Sequence, residues 1–138
     1  DAQLRFSARV RTRWSDEDNQ GMVNNAVFLT VMEEARLQYF TRLGLMEPAG
    51  LFSFVLAQCN ARFLRPAAGG VELEVRMATT HLGSSSFAQS YRIAGPDGEV
   101  LCEAEAFMVA WDNVRRCKKS MEPAFRASLA AFEGLAGG

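Results

Sequence analysis

The sequence predicts an α+β fold in which a five-stranded antiparallel sheet wraps around one long central helix. Three observations lead to it. Residues 5–14 alternate polar and apolar with a period of two, as a half-buried strand does. From Val27 to Leu43 neither Gly nor Pro interrupts a run with apolar residues at helical spacing. Four further strand-like runs follow, separated by turn signals, before a short helix near the C-terminus.

Length and composition set the bounds. A chain of 138 residues, 49% hydrophobic, suffices for one core without disulfides, so residues 1–138 read as a single domain. A formal net charge of −1 argues against a nucleic-acid partner. Cys59, Cys102 and Cys117 are widely spaced and form no CxxC, which is neither a disulfide framework nor a zinc set. Cys59 and Cys102 sit in apolar runs and read as packing residues in a reducing compartment. No apolar run matches a membrane span and no signal-peptide pattern opens the chain, so the expectation is a cytoplasmic protein.

In the first strand, Phe6, Ala8, Val10, Thr12 and Trp14 fall on one face, and Arg5, Ser7, Arg9, Arg11 and Arg13 on the other. The cationic face reads either as a solvated surface or as a phosphate-binding one. Asp16, Glu17 and Asp18 then crowd a turn, where Gly21 supplies a residue free to take positive φ. Asn24 and Asn25 stand where a helix is N-capped. The helix from about Asn25 to Leu43 presents Phe28, Val31, Met32, Ala35, Tyr39 and Leu43, widened by Leu29 and Phe40. Val27 and Leu37 carry apolar surface further round, which suggests enclosure by a curved sheet. Glu33 and Glu34 are open to catalysis or to ion pairs with Arg36, Arg42 or another subunit. Gly44 supplies the helix stop.

The second strand-like run, Phe52 to Leu64, places Val55, Ala57, Cys59, Ala61 and Phe63 on one face and ends at Arg65-Pro66. After a turn at 67–70, Val71, Leu73, Val75, Met77 and Thr79 alternate with Glu72, Glu74 and Arg76. Phe87, Tyr91 and Ile93 mark the next strand, and Gly95-Pro96-Asp97-Gly98 a hairpin turn. Glu99 to Trp111 forms the last. Hairpin-length links imply that consecutive strands pair antiparallel from the second to the fifth. Asp112 to Lys119 is a basic connection, and Pro123 opens an amphipathic helix with Phe125, Leu129 and Phe132 inward.

Few residues are placed to do chemistry. The single His, His81, lies in a strand with no helpful neighbours, and the scattered Cys leave no metal site. No GxGxxG or Walker pattern is present, so no nucleotide cofactor is expected. That leaves the acidic turn. Asp16 and Asp18 either shape the turn and cap the helix, or place a carboxylate beside the positive end of the helix dipole.

The run RTRWSDEDNQGMVNNAVFLTVMEEAR resembles the signature of the 4-hydroxybenzoyl-CoA thioesterase-like branch of the hotdog-fold acyl-CoA thioesterases. RFLRPA, VELEVRM, LGSSSF and PDGEVLCEAEA are similar to that family's later strands, in the expected order. The resemblance implies hydrolysis of an acyl-CoA thioester to free acid and CoA, or of an acyl-carrier-protein thioester. The alternative is a non-catalytic binding module on the same fold. Position by position, it makes Asp18 the catalytic acid and Asp16 a support of the loop. Gly21 lets the backbone pass close to the thioester, and the N–H near Asn24 and Asn25 binds the oxyanion. Many members carry His after that glycine; this chain has Met22. The resemblance further implies a homodimer with sheets joined edge to edge, tetramers being frequent, and sites built from both subunits. Candidates for the CoA nucleotide are Arg65, Ser84, Ser85, Arg116 and Lys118, with Ser86, Arg115 and Lys119 beside them.

Overall fold

The computed structural model describes residues 3–135. Strand β1 (Phe6–Arg11) leads through a 3-10 turn (Trp14–Asp16) to helix α1 (Asn25–Arg42). Strands β2 (Phe54–Phe63), β3 (Glu72–Leu82), β4 (Ser86–Ala94) and β5 (Val100–Asp112) follow, then a two-residue strand β6 (Cys117–Lys118) and helix α2 (Pro123–Glu133). All pairings are antiparallel, in the order β1-β3-β4-β5-β2, with β6 on β5. Among the described residues no helix is long and apolar enough to cross a membrane.

The α+β reading holds, with corrections. The sheet has six strands rather than five, because the polar 112–119 connection folds back on β5, and the short helix opened by Pro123 stands as α2 beside the long central one. The second and third strands do not pair: β2 lies beside β5 at the far edge, and the 64–71 segment crosses to β3 beside β1. That segment is held by long-range bonds instead of a hairpin turn, Val23 N–H to Ala67 C=O and Thr12 N–H to Val71 C=O, both 2.8 Å. β1 stops at Arg11, so Trp14 joins the 3-10 turn and is 81% exposed rather than on the inner face. A bulge between Leu56 and Gln58 breaks the parity of β2. Val55 therefore faces with Val109, and Cys59 with the buried Ala106 on the opposite side.

Helix α1 buries Phe28, Val31, Met32, Ala35, Arg36, Tyr39 and Phe40 against the sheet. Its C-terminal end is sealed by aromatic rings: Phe40 meets Phe52, Phe54, Phe87 and Phe125 with centroids 4.9 to 6.1 Å apart. Gly44, at φ +70, ends the helix, and the Leu45 N–H closes on Phe40 C=O at 2.9 Å. Leu29 and Leu37 are each 41% exposed, so the sheet of one chain does not enclose the helix as its apolar girth suggests.

A polar chain runs through this core. Arg36 Nη1 donates to Tyr91 Oη (3.0 Å), which donates to Gln89 Oε1. Gln89 Nε2 donates to Thr79 Oγ1 (3.0 Å), Thr79 Oγ1 bonds Tyr39 Oη (2.9 Å), and Tyr39 Oη donates to Glu133 Oε2 (2.6 Å). With Thr79 donating to Tyr39, each hydroxyl uses its one proton in the same sense, from guanidinium to carboxylate. Burial and the Glu133 carboxylate raise the Tyr39 hydroxyl well above its ordinary pKa, so it remains a donor. Burial likewise pushes Tyr91 up to about 12, against the pull of Arg36. Glu133 Oε2 also accepts the Thr79 N–H at 2.9 Å, pinning α2 to β3. Glu133→Ala orphans both donors and is expected to lower stability by about 1–3 kcal/mol, measured by urea unfolding.

Candidate active site

The three acids of the turn divide their work. Asp16 Oδ2 accepts the Arg13 N–H (2.8 Å), its Oδ1 pairs with Arg13 Nη2 (3.1 Å), and its carbonyl accepts the Asn24 N–H (3.1 Å). Glu17 Oε2 accepts the Gly69 N–H at 2.8 Å, tying the turn to the crossing segment. A Cβ at Gly69 would stand 2.6 Å from the Arg13 carbonyl, so only glycine lets these two loops meet.

Asp18 is differently placed. Its Oδ1 accepts the Gln20 N–H at 2.8 Å and, at a longer 3.4 Å, the Met22 N–H. Its Oδ2 bonds to none of the described residues. Gly21, at φ +73, turns the chain beside it, with open space where a Cβ would project. Asn24 then caps α1: its Oδ1 accepts the Ala26 N–H at 2.9 Å, and its carbonyl the Val27 N–H at 2.9 Å. The Asn25 N–H, the first of the helix, donates to none of the described residues. It is a free donor at the positive end of the dipole.

Asp18, Asn24 and Asn25 line one open cleft of about 460 Å³. Gln20 and Arg65 complete its polar rim, while Met22, Phe28, Phe63, Leu64 and Pro66 supply apolar wall. The Phe28 and Phe63 rings lie 5.7 Å apart. The wall from the end of β2 was not foreseen as part of the site. The strand end at Arg65-Pro66 marked that segment, but only the fold brings it to the helix tip. Met22, the residue after Gly21, lies in the wall.

The CoA candidates separate into two groups. Arg65 lines the cleft and pairs with Glu99 at 3.3 Å. Ser84, Ser85, Arg116 and Lys118 stand at the other end of the sheet: the Ser85 carbonyl bonds the Ala110 N–H, and Lys118 lies opposite Trp111. Arg65 follows Phe63, which pairs with Cys102. The β5 stretch from Cys102 to Ala110 thus separates the two groups by roughly 26 Å, so one chain does not bring them together. His81 is exposed on β3 opposite Ala88, away from the cleft lining. Among the described residues no group of three or more His, Cys, Asp or Glu is placed to hold a metal ion.

An antiparallel sheet packed on one long central helix is the hotdog arrangement, an α+β class. The family model of the thioesterase-like superfamily matches residues 12–129, and the chain belongs to that family. It is 30% identical over 104 residues to the uncharacterized protein YsmA of Bacillus subtilis (strain 168), covering 75% of this chain and 71% of that protein. It is 27% identical over 115 residues to the acyl-CoA thioester hydrolase YbgC of Escherichia coli O157:H7, covering 80% and 84%. A thioesterase from Thermus thermophilus, crystallised with coenzyme A and Zn, superposes with a TM-score of 0.81 at 34% identity, covering 93% of each chain. The expectation of a thioester-hydrolysing enzyme is met at the level of the family. Asn24→Ala removes the cap that shapes the helix tip and is expected to cost about 1 kcal/mol of stability, measured by thermal unfolding.

Proposed function

We propose that this protein hydrolyses an acyl-CoA thioester to the free acid and CoA, with Asp18 as the reacting carboxylate and the Asn25 N–H as oxyanion donor. The observation that carries this reading is one cleft lined by both: a carboxylate with a free Oδ2 and a helix tip with a free N–H. The thioester carbonyl rests with its oxygen toward the helix tip. As the carbonyl carbon is attacked, the oxygen gains charge, and the fixed N–H dipole stabilises it by an amount that grows along the reaction. Asp18 serves in one of two ways. It deprotonates a water that attacks the carbonyl, or it attacks directly to give a mixed anhydride that water then opens. Either way the C–S bond breaks and the thiolate departs. A thiolate is a good leaving group, so a site with Met22 in place of His needs no proton donor for it.

The apolar wall of Phe28, Phe63, Leu64 and Met22 suits the acyl group, and Arg65 at the rim suits a CoA phosphate. The edge of β2 supports a homodimer. Among the described residues no strand pairs with its outer side, and Val55, Leu56, Phe63 and Leu64 are exposed near it. A two-fold pairing of β2 edges runs them antiparallel, so the Phe54 end of one chain lies beside the Phe63 end of the other. Ser84, Ser85, Arg116 and Lys118 of a second copy then approach this cleft, and the distant half of the CoA candidates becomes useful.

Purified protein is expected to release free thiol from acyl-CoAs. Asp18→Asn is expected to lower kcat at least about 100-fold with an unchanged circular-dichroism spectrum. Full activity in that variant removes Asp18 from the mechanism, and saturable CoA-ester binding without turnover in the parent protein identifies a binding module instead. Arg65→Ala is expected to raise KM several-fold with little change in kcat, read in the same thiol-release assay.

A further inference from the structure

Helix α1 carries a nearly buried cation that no carboxylate of its own chain meets among the described residues. Arg36 is 5% exposed, and its partner is the hydroxyl of Tyr91 at 3.0 Å, with the Tyr91 ring centroid 5.7 Å from the guanidinium carbon. Both contacts are neutral. Among the described residues no carboxylate forms an ion pair with it. A guanidinium has five N–H donors, and withdrawing it from water is costly unless an anion meets it. The carboxylate at the far end of the polar chain, Glu133, is reached only through four neutral side chains.

The helix carries a carboxylate on the same flank. Leu29, Glu33, Arg36 and Phe40 recur at spacings of four, three and four, and so share one flank. Phe40 on that flank meets Phe54 of β2 with ring centroids 4.9 Å apart, whereas Gln38 on the other flank reaches the Arg9 carbonyl of β1 at 2.9 Å. Arg36 therefore faces the unpaired β2 edge. The exposed Leu29 and Leu37 border the same flank, and so does Glu33, which is exposed and bonds to none of the described residues. One flank thus holds exposed apolar side chains, a buried cation without an anion, and a free anion one turn away. That pattern is self-complementary under a two-fold, where residue i meets j and j meets i.

We propose that, within the homodimer proposed above, the partner's Glu33 pairs with Arg36, the pair forming twice about the two-fold. The proposal rests on the β2-edge homodimer of the preceding reading. It makes the inter-subunit ion pair the terminus of the polar chain that runs through each core to Glu133.

The test measures dimer dissociation by analytical ultracentrifugation. Glu33 is exposed in the single chain, so its variants fold, as circular dichroism verifies. Glu33→Gln is expected to raise the dimer Kd at least about tenfold, and Glu33→Lys further, by setting two cations together. Native mass spectrometry then follows a mixture of Glu33→Gln chains with Arg36→Gln chains. Each heterodimer keeps one intact pair, while each homodimer keeps none, so heterodimers exceed the statistical share. A pair formed within one helix gives no such excess, because neither chain holds both partners. A parent dimer whose Kd ignores both Glu33 substitutions overturns the ion pair alone. A parent chain that is monomeric at every concentration overturns the homodimer and the ion pair together.

Discussion

The two ends of helix α1 are treated in opposite ways, and the rest of the structure depends on that asymmetry. At the C-terminal end Phe40 is locked among four phenylalanine rings, and Gly44 closes the last turn. At the N-terminal end the helix opens on a cleft, and its first N–H bonds to none of the described residues. A helix dipole contributes at its tip only where donors remain unpaired and water can be displaced by substrate. The aromatic seal offsets the open tip in stability and holds it at one place against the sheet.

The acidic turn repeats this division on a smaller scale. Asp16 and Glu17 commit their oxygens to Arg13 and Gly69 and so hold the loop. Asp18 gives one oxygen to the turn and keeps the other toward the cleft. A carboxylate held through one oxygen is oriented while its other oxygen stays available, which suits the role proposed for it. The loop after β2 completes the wall through the Val23–Ala67 bond, so residues about forty positions apart in sequence form one surface.

Polar groups buried on the sheet side of α1 add specificity that an all-apolar face lacks. Arg36, Tyr39, Thr79, Gln89, Tyr91 and Glu133 satisfy one another in a single sense and tie α1, β3, β4 and α2 together. The cationic start of that chain lies at the flank toward the free β2 edge.

Local chemistry determined the elements. Asn24 as cap and Gly44 as stop bounded the long helix to within a residue, because capping and positive φ depend on neighbours along the chain. Leu73, Val75, Met77 and Thr79 followed the strand period, and all are buried. The DxDxxG and paired Asn marked the site region for the same reason. Tertiary structure alone decided the placing of β2 beside β5, the bulge that sent Val55 to the outer face, the burial of Arg36, and the meeting of Phe63 to Pro66 with the helix tip. It also parted Arg65 from Ser84, Ser85, Arg116 and Lys118. Each of these rests on contacts between residues far apart in sequence. Periodicity states which face of an element is apolar, and only the long-range register states what that face meets.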